Sequence, residues 1–92
     1  MIADLIVTVA IYRSGGVFLA VCQEFGVEAT GRSPEDAKEE ALVAVRRTLD
    51  AIAARGELPA FLAEAGFVID GDVLRAERRL IGIGEGRVPV AF

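Results

Sequence analysis

Histidine and tryptophan are absent from these 92 residues, and cysteine and methionine occur once each. Without histidine the chain has neither the usual general base near neutral pH nor the commonest metal ligand. A single thiol, Cys22, rules out an internal disulfide and points to a reducing compartment, the cytoplasm. Positive charge is also scarce. Ten Lys and Arg against fourteen Asp and Glu leave a net charge of −4, which disfavours a general nucleic-acid binder and suits a basic protein partner. No apolar run approaches the ~20 residues of a membrane span, and the N-terminus lacks the basic region of a secretory signal.

Apolar residues, by contrast, are plentiful: 53% of the chain is hydrophobic although only 7% is aromatic. A chain this short forms one domain, residues 1–92, and buries only about 60–65% of its unfolded surface. So much aliphatic surface in so small an interior predicts that some is shared with a second copy, giving a homodimer or higher oligomer.

The strongest local signal runs from Thr30 to Arg55. Ser33 can cap a helix N-terminus, Pro34 fits the first helical position, and Asp36 stands three residues after the cap. Ala37, Ala41, Ala44, Val45, Leu49 and Ile52 recur at three- and four-residue spacing as one apolar stripe, and Gly56 supplies a stop. These features predict one helix of about six turns at 3.6 residues each.

Before it, Asp4 to Tyr12 reads as a first strand rich in β-branched residues, with Leu5, Val7, Val9 and Ile11 on one face. Arg13-Ser14-Gly15-Gly16 is a turn, Val17 to Gln23 a second strand apolar on both faces, and Val27 to Thr30 a short third strand. The helix can cover only one face of that sheet. The other is left for the C-terminal third of the chain or for a second subunit. After the helix, Glu57 to Ala65 predicts a short second helix, and Phe67 to Leu74 a hairpin about Asp70-Gly71-Asp72. Leu80 to Ile83 resumes an extended apolar pattern, Glu85-Gly86 marks a turn, and Val88 to Phe92 a closing strand held to an edge by Pro89. The fold class is α+β, with a β-β-β-α core over residues 1–56 and a short helix and further strands over 57–92.

No group of residues assembles into a reaction centre. The glycines 82, 84 and 86 would need a helix directly behind them to cradle a phosphate, and Val88-Pro89-Val90 is extended instead. Asp70 and Asp72 lack the later carboxylates of a calcium loop. Glu35, Asp36, Glu39 and Glu40 crowd the positive end of a helix dipole, which accounts for them. Cys22 lies among apolar residues with nothing to activate it. The arginine pairs 46–47 and 78–79 read as solvated faces or ion-pair partners. No catalytic, cofactor-binding or metal residue is assigned, no cofactor is expected, and the chain reads as a non-enzyme.

Residues 14–24, SGGVFLAVCQE, resemble the glycine-led strand segment of HicB-like antitoxins, residues 27–37, VEATGRSPEDA, resemble their signature leading into the helix, and Lys38 to Leu49 continues in the same style. The match spans roughly Leu5 to Ile52. The resemblance implies a partial RNase H-like fold, three antiparallel strands backed by one helix and extended by a further strand. It also implies an oligomer that binds and blocks a small basic ribonuclease toxin, the HicA-type mRNA interferase of a type II toxin–antitoxin system. The toxin's own chemistry uses a histidine, which this chain lacks, and Asp4 is the only carboxylate on strand one, so the metal cluster of a true RNase H is not expected. Fuller antitoxins add a DNA-binding domain. Gly66 to Phe92 offers no recognition helix, so direct DNA binding is not expected. The alternative is a solitary structural or regulatory oligomer of the same fold without a toxin.

Overall fold

Residues 4–91 are described by the computed structural model. In chain order they form β1 (Asp4–Leu5), β2 (Val9–Ser14), β3 (Val17–Cys22), β4 (Glu28–Gly31), α1 (Pro34–Ala54), α2 (Leu58–Glu64), β5 (Phe67–Asp70) and β6 (Val73–Ala76). The fold is α+β, with two helices and two three-stranded sheets among the described residues. One sheet is antiparallel in the order β2-β3-β4, and the other runs β1-β6-β5, with β1 parallel to β6.

α1 forms where its caps and stripe place it. Ser33 Oγ accepts the Asp36 N–H at 3.0 Å, and Asp36 Oδ2 accepts the Arg32 N–H at 3.2 Å, so each side chain of this short motif satisfies a backbone donor at the helix start. At the other end Gly56 takes a left-handed φ of 71° and its N–H reaches the Ala53 carbonyl at 2.9 Å. Ala37, Ala41, Val45 and Ile52 are buried, as the stripe requires. The innermost contact is made of alanines: Ala20 of β3 packs with Ala37 and Ala41 of α1, flanked by Val9, Phe18 and Ala29. Small side chains on both surfaces let the helix lie close against the sheet. Closest of all is Gly31, where a Cβ would collide with the Ala37 nitrogen and stand 2.8 Å from two further backbone atoms.

The long first strand expected from the sequence is divided. Ile6 gives its N–H to the Leu74 carbonyl at 2.9 Å, in register with β6, whereas two residues later the Thr8 carbonyl accepts from the Gln23 N–H at 2.8 Å, in register with β3. The chain changes partners between these points, and the Thr8 N–H is satisfied by the Glu24 carboxylate at 2.7 Å. The break follows from tertiary pairing, since Ile6 to Thr8 has no turn residue of its own.

The C-terminal third differs more. The hairpin about Asp70-Gly71-Asp72 is present, with Gly71 at φ 67° and Arg75 bridging to Asp70 at 3.2 Å. The extended run Leu80 to Ile83 and the closing strand from Val88 form no strand among residues 77–91, which carry no regular element. Phe92 lies outside the described residues. The physical reason is the lack of a partner. Alternating aliphatics favour extended backbone, but a strand needs a ladder, and Gly82, Gly84, Gly86 and Pro89 make an unpaired ladder costly to order. The second sheet also stays to one side. Neither β5 nor β6 packs against β2, β3 or β4; they meet β1, α2 and each other.

Candidate protein-interaction face

Residue alternation decides what each face of β2-β3-β4 presents. Phe18, Ala20 and Cys22 of β3 point towards α1, so Val17, Leu19 and Val21 point away. Register carries the same division to the neighbours. Tyr12 lies opposite Leu19 and Ala10 opposite Val21 on β2, and Thr30 and Glu28 lie opposite the same two residues on β4. The face turned from α1 therefore joins Ala10, Tyr12, Val17, Leu19 and Val21, rimmed by Glu28 and Thr30; it is open at its Tyr12–Val17 end and closed at Ala10, which is 6% exposed. Tyr12 is 50% and Val17 41% exposed, and Leu19 and Val21 are half-buried. With β5 and β6 elsewhere, the C-terminal third does not cover this face. The sheet is left with one apolar face on the helix and one towards solvent.

The residues considered for chemistry are dispersed. Asp36 is engaged by the cap, while Glu35, Glu39 and Glu40 stand exposed along α1. Among the described residues no three carboxylates or thiols gather where a metal ion could sit. Arg46 pairs with Asp50 at 3.4 Å on the exposed helix face, and the Arg79 guanidinium donates to the Ala76 carbonyl at 3.3 Å. Glycines 82, 84 and 86 lie in the irregular segment, with no helix after them among the described residues.

Cys22 is fully buried and its Sγ reaches Glu24 Oε1 at 3.8 Å. Burial, the largest influence, pushes the thiol above its ordinary value of 9.0. The folded protein thus holds this proton more tightly than the unfolded chain. The stabilisation is complete below about pH 9 and is lost as pH rises through the folded value. We expect an alkylating reagent at pH 7.5 to modify native Cys22 at least ~100-fold more slowly than the denatured chain, because only the exposed thiolate reacts. Equal rates, read by intact mass, would contradict the burial.

Two contributors carried little signal in the sequence. Glu24 looked like part of a turn, yet it closes the break in the first strand. Phe25, in the same turn, stacks on Phe61 of α2 at 5.6 Å and on Phe67 of β5 at 5.3 Å. This aromatic stack ties the second sheet to the first. An aromatic residue inside a glycine-bounded turn was the sole hint.

No family model, curated protein or solved structure matches this chain.

Proposed function

We propose that this chain is a non-catalytic protein-binding module, a HicB-like antitoxin that masks a small basic ribonuclease of HicA type. The observation that carries the reading is the solvent-facing apolar side of β2-β3-β4, on a chain of net charge −4. An aromatic residue amid aliphatics, rimmed by a carboxylate and a hydroxyl, is the composition of an interface centre. A basic partner would be steered to it by the acidic field. The β2-β3-β4-α1 order, three antiparallel strands backed by one helix, supports the partial RNase H-like fold that the resemblance implies, although β6 runs parallel to β1 in a separate sheet instead of extending this one. With no histidine in the chain and Cys22 buried, neither a histidine-activated nucleophile nor a reactive thiol is at hand, which favours binding over catalysis.

The test begins with the neighbouring reading frames, where this reading expects a small basic protein containing histidine. Purified, that protein should cleave RNA, and one equivalent of this chain should stop it. Tyr12→Ala should weaken inhibition by about 30-fold, the effect of a central aromatic anchor worth roughly 2 kcal/mol, with thermal stability little changed. RNA cleavage that continues at equimolar ratio, or inhibition untouched by Tyr12→Ala and Val17→Asp together, would refute the proposal. The second reading, a solitary oligomer without a toxin, is favoured by the exposed apolar segment beyond β6. It predicts neighbouring frames with no such protein.

A further inference from the structure

Beyond β6 the chain leaves the body as an arm. Glu77 still donates to the Gly66 carbonyl at 2.9 Å, and from Arg78 to Ala91 every residue is exposed. The arm puts Ile81 (94% exposed), Ile83 (82%), Val88 (81%) and Val90 (67%) into water. In extended backbone Ile81 and Ile83 share a side, as do Val88 and Val90. Scattered single aliphatics on a surface need no explanation, but four on one short unstructured segment do. The molecule is also elongated. Its radius of gyration is 15.9 Å and its extents are 55 × 28 × 24 Å, whereas a compact domain of this length has a radius near ~12 Å.

The body carries a surface to match. A groove of about 790 Å³ opens between α1, α2, β1 and β6, lined chiefly by Leu5, Leu42, Leu49, Leu58, Leu62 and Leu74. Asp4, Arg46 and Asp50 stand among its lining residues as the polar groups. No described residue of the arm contributes to it. Leu80, at the arm's root, instead lines a separate and more polar pocket with Gln23, Glu24 and Ala65. The groove whose chemistry suits the arm is therefore not filled by the arm of its own chain.

We propose that the segment Leu80–Val90 exchanges between two copies of this chain, each arm laying its aliphatic side chains along the α1–α2–β6 groove of the other copy. Three observations favour a second copy as the occupant. Arm and groove are borne by the same chain, so one two-fold operation fills both grooves and covers both arms. At about 3.3 Å per residue, the eleven residues span roughly 36 Å, longer than either minor extent of the whole molecule. The arm is also locally basic on an acidic chain. From Arg78 to Ala91 it carries Arg78, Arg79 and Arg87 against Glu85, the first two at its root and Leu80–Val90 itself balanced, so the root is attracted to a body of net negative charge, and Asp4 stands at the groove, where Asp50 already pairs with Arg46. The exchange uses the helix side of the molecule and leaves the open face of β2-β3-β4 free, so it stands or falls separately from the ribonuclease reading.

The experiment uses the full chain. Light scattering behind size exclusion at 20 μM should give twice the 9.7 kDa of the monomer. The double variant Ile81→Glu/Ile83→Glu, which touches nothing in the folded body, should run as a monomer of unchanged thermal stability, with dimer dissociation shifted at least ~100-fold. Ile83→Cys adds one accessible thiol to a chain whose native thiol is buried. That thiol should react at least ~10-fold more slowly at 20 μM than at 20 nM, where the dimer dissociates. A second pair of variants places the contact: Ile83→Cys mixed with Leu62→Cys should form a disulfide between copies, and either alone should not form that heterodimer. A wild-type monomer at 20 μM overturns the proposal whether its arm reacts freely or is protected, since protection in a monomer means the arm lies on its own chain. A dimer that survives the double glutamate variant overturns it as well.

Discussion

Replacing Gly31 with alanine lowers the stability of the domain by about 3 kcal/mol. The added methyl would collide with the Ala37 nitrogen, and its other close neighbours, at 2.8 Å, are the Ala37 Cα and the Asp36 carbonyl carbon. All three are backbone atoms in the first turn of α1, so no side chain can rotate to make room. The helix start must lift away from β4, which opens the Ala20–Ala37–Ala41 contact beneath it. Overfilling a tight contact costs roughly 1–3 kcal/mol, and rigid neighbours put this case at the upper end. For a domain of this size the loss lowers Tm by about 12–24 °C. Gly16→Ala is the control: a methyl at Gly16 would meet no atom within 4 Å, and the residue has no left-handed φ, so the change should alter stability by less than about 0.5 kcal/mol. Urea denaturation with a common m-value measures both, and a Gly31→Ala loss below about 1 kcal/mol, the low end of that range, would show that α1 does not bear on β4 this closely.

The second large effect falls on Phe25→Ala, expected to cost about 3 kcal/mol and to cost it unevenly. Removing a packed Phe side chain is worth roughly 3–5 kcal/mol when fully buried, and Phe25 is half-buried. Stacking with Phe61 and Phe67 adds to the loss. Because those partners belong to α2 and β5, amide exchange should accelerate most at β5 and β6, with β2-β3-β4 protected to nearly the wild-type degree. Phe25→Leu should recover about half of the stability, since it restores apolar volume without the ring geometry. Uniform acceleration across both sheets would mean that the stack is not the tie between them.

These two positions also show what could be read in advance. The cap at Ser33 and Asp36, the stop at Gly56 and the hairpin at Gly71 depend on neighbours within a few residues, and each was legible from spacing alone. That both faces of β3 are apolar followed from Val17, Leu19 and Val21 alternating with Phe18, Ala20 and Cys22, but whether the C-terminal third covers the second face did not. The division of the first strand did not, because it depends on Leu74 and Glu24, which are distant in sequence. The expected closing strand from Val88 failed for the converse reason. Its aliphatics specify extended backbone, but nothing local specifies a partner for it. Gly31 was visible as a residue type, yet its role is a close approach, and a close approach is a property of two surfaces.

The strand that changes partners at Ile6 to Thr8 has a bearing on how the protein is made. β2, β3, β4 and α1 are consecutive, so their contacts can form as soon as the first helix has emerged from the ribosome. β1 pairs with β6, which is synthesised only after α2 and β5. β1 must therefore wait, with its apolar Leu5 and the Val7 that follows it unpaired, until the second hairpin has emerged. Long-range parallel pairing of this kind is slow in folding small domains. β1, translated ahead of β2 to β6, is thus among the last of them to find its place, and during that interval the half-made domain carries an unpaired edge where β6 will later lie.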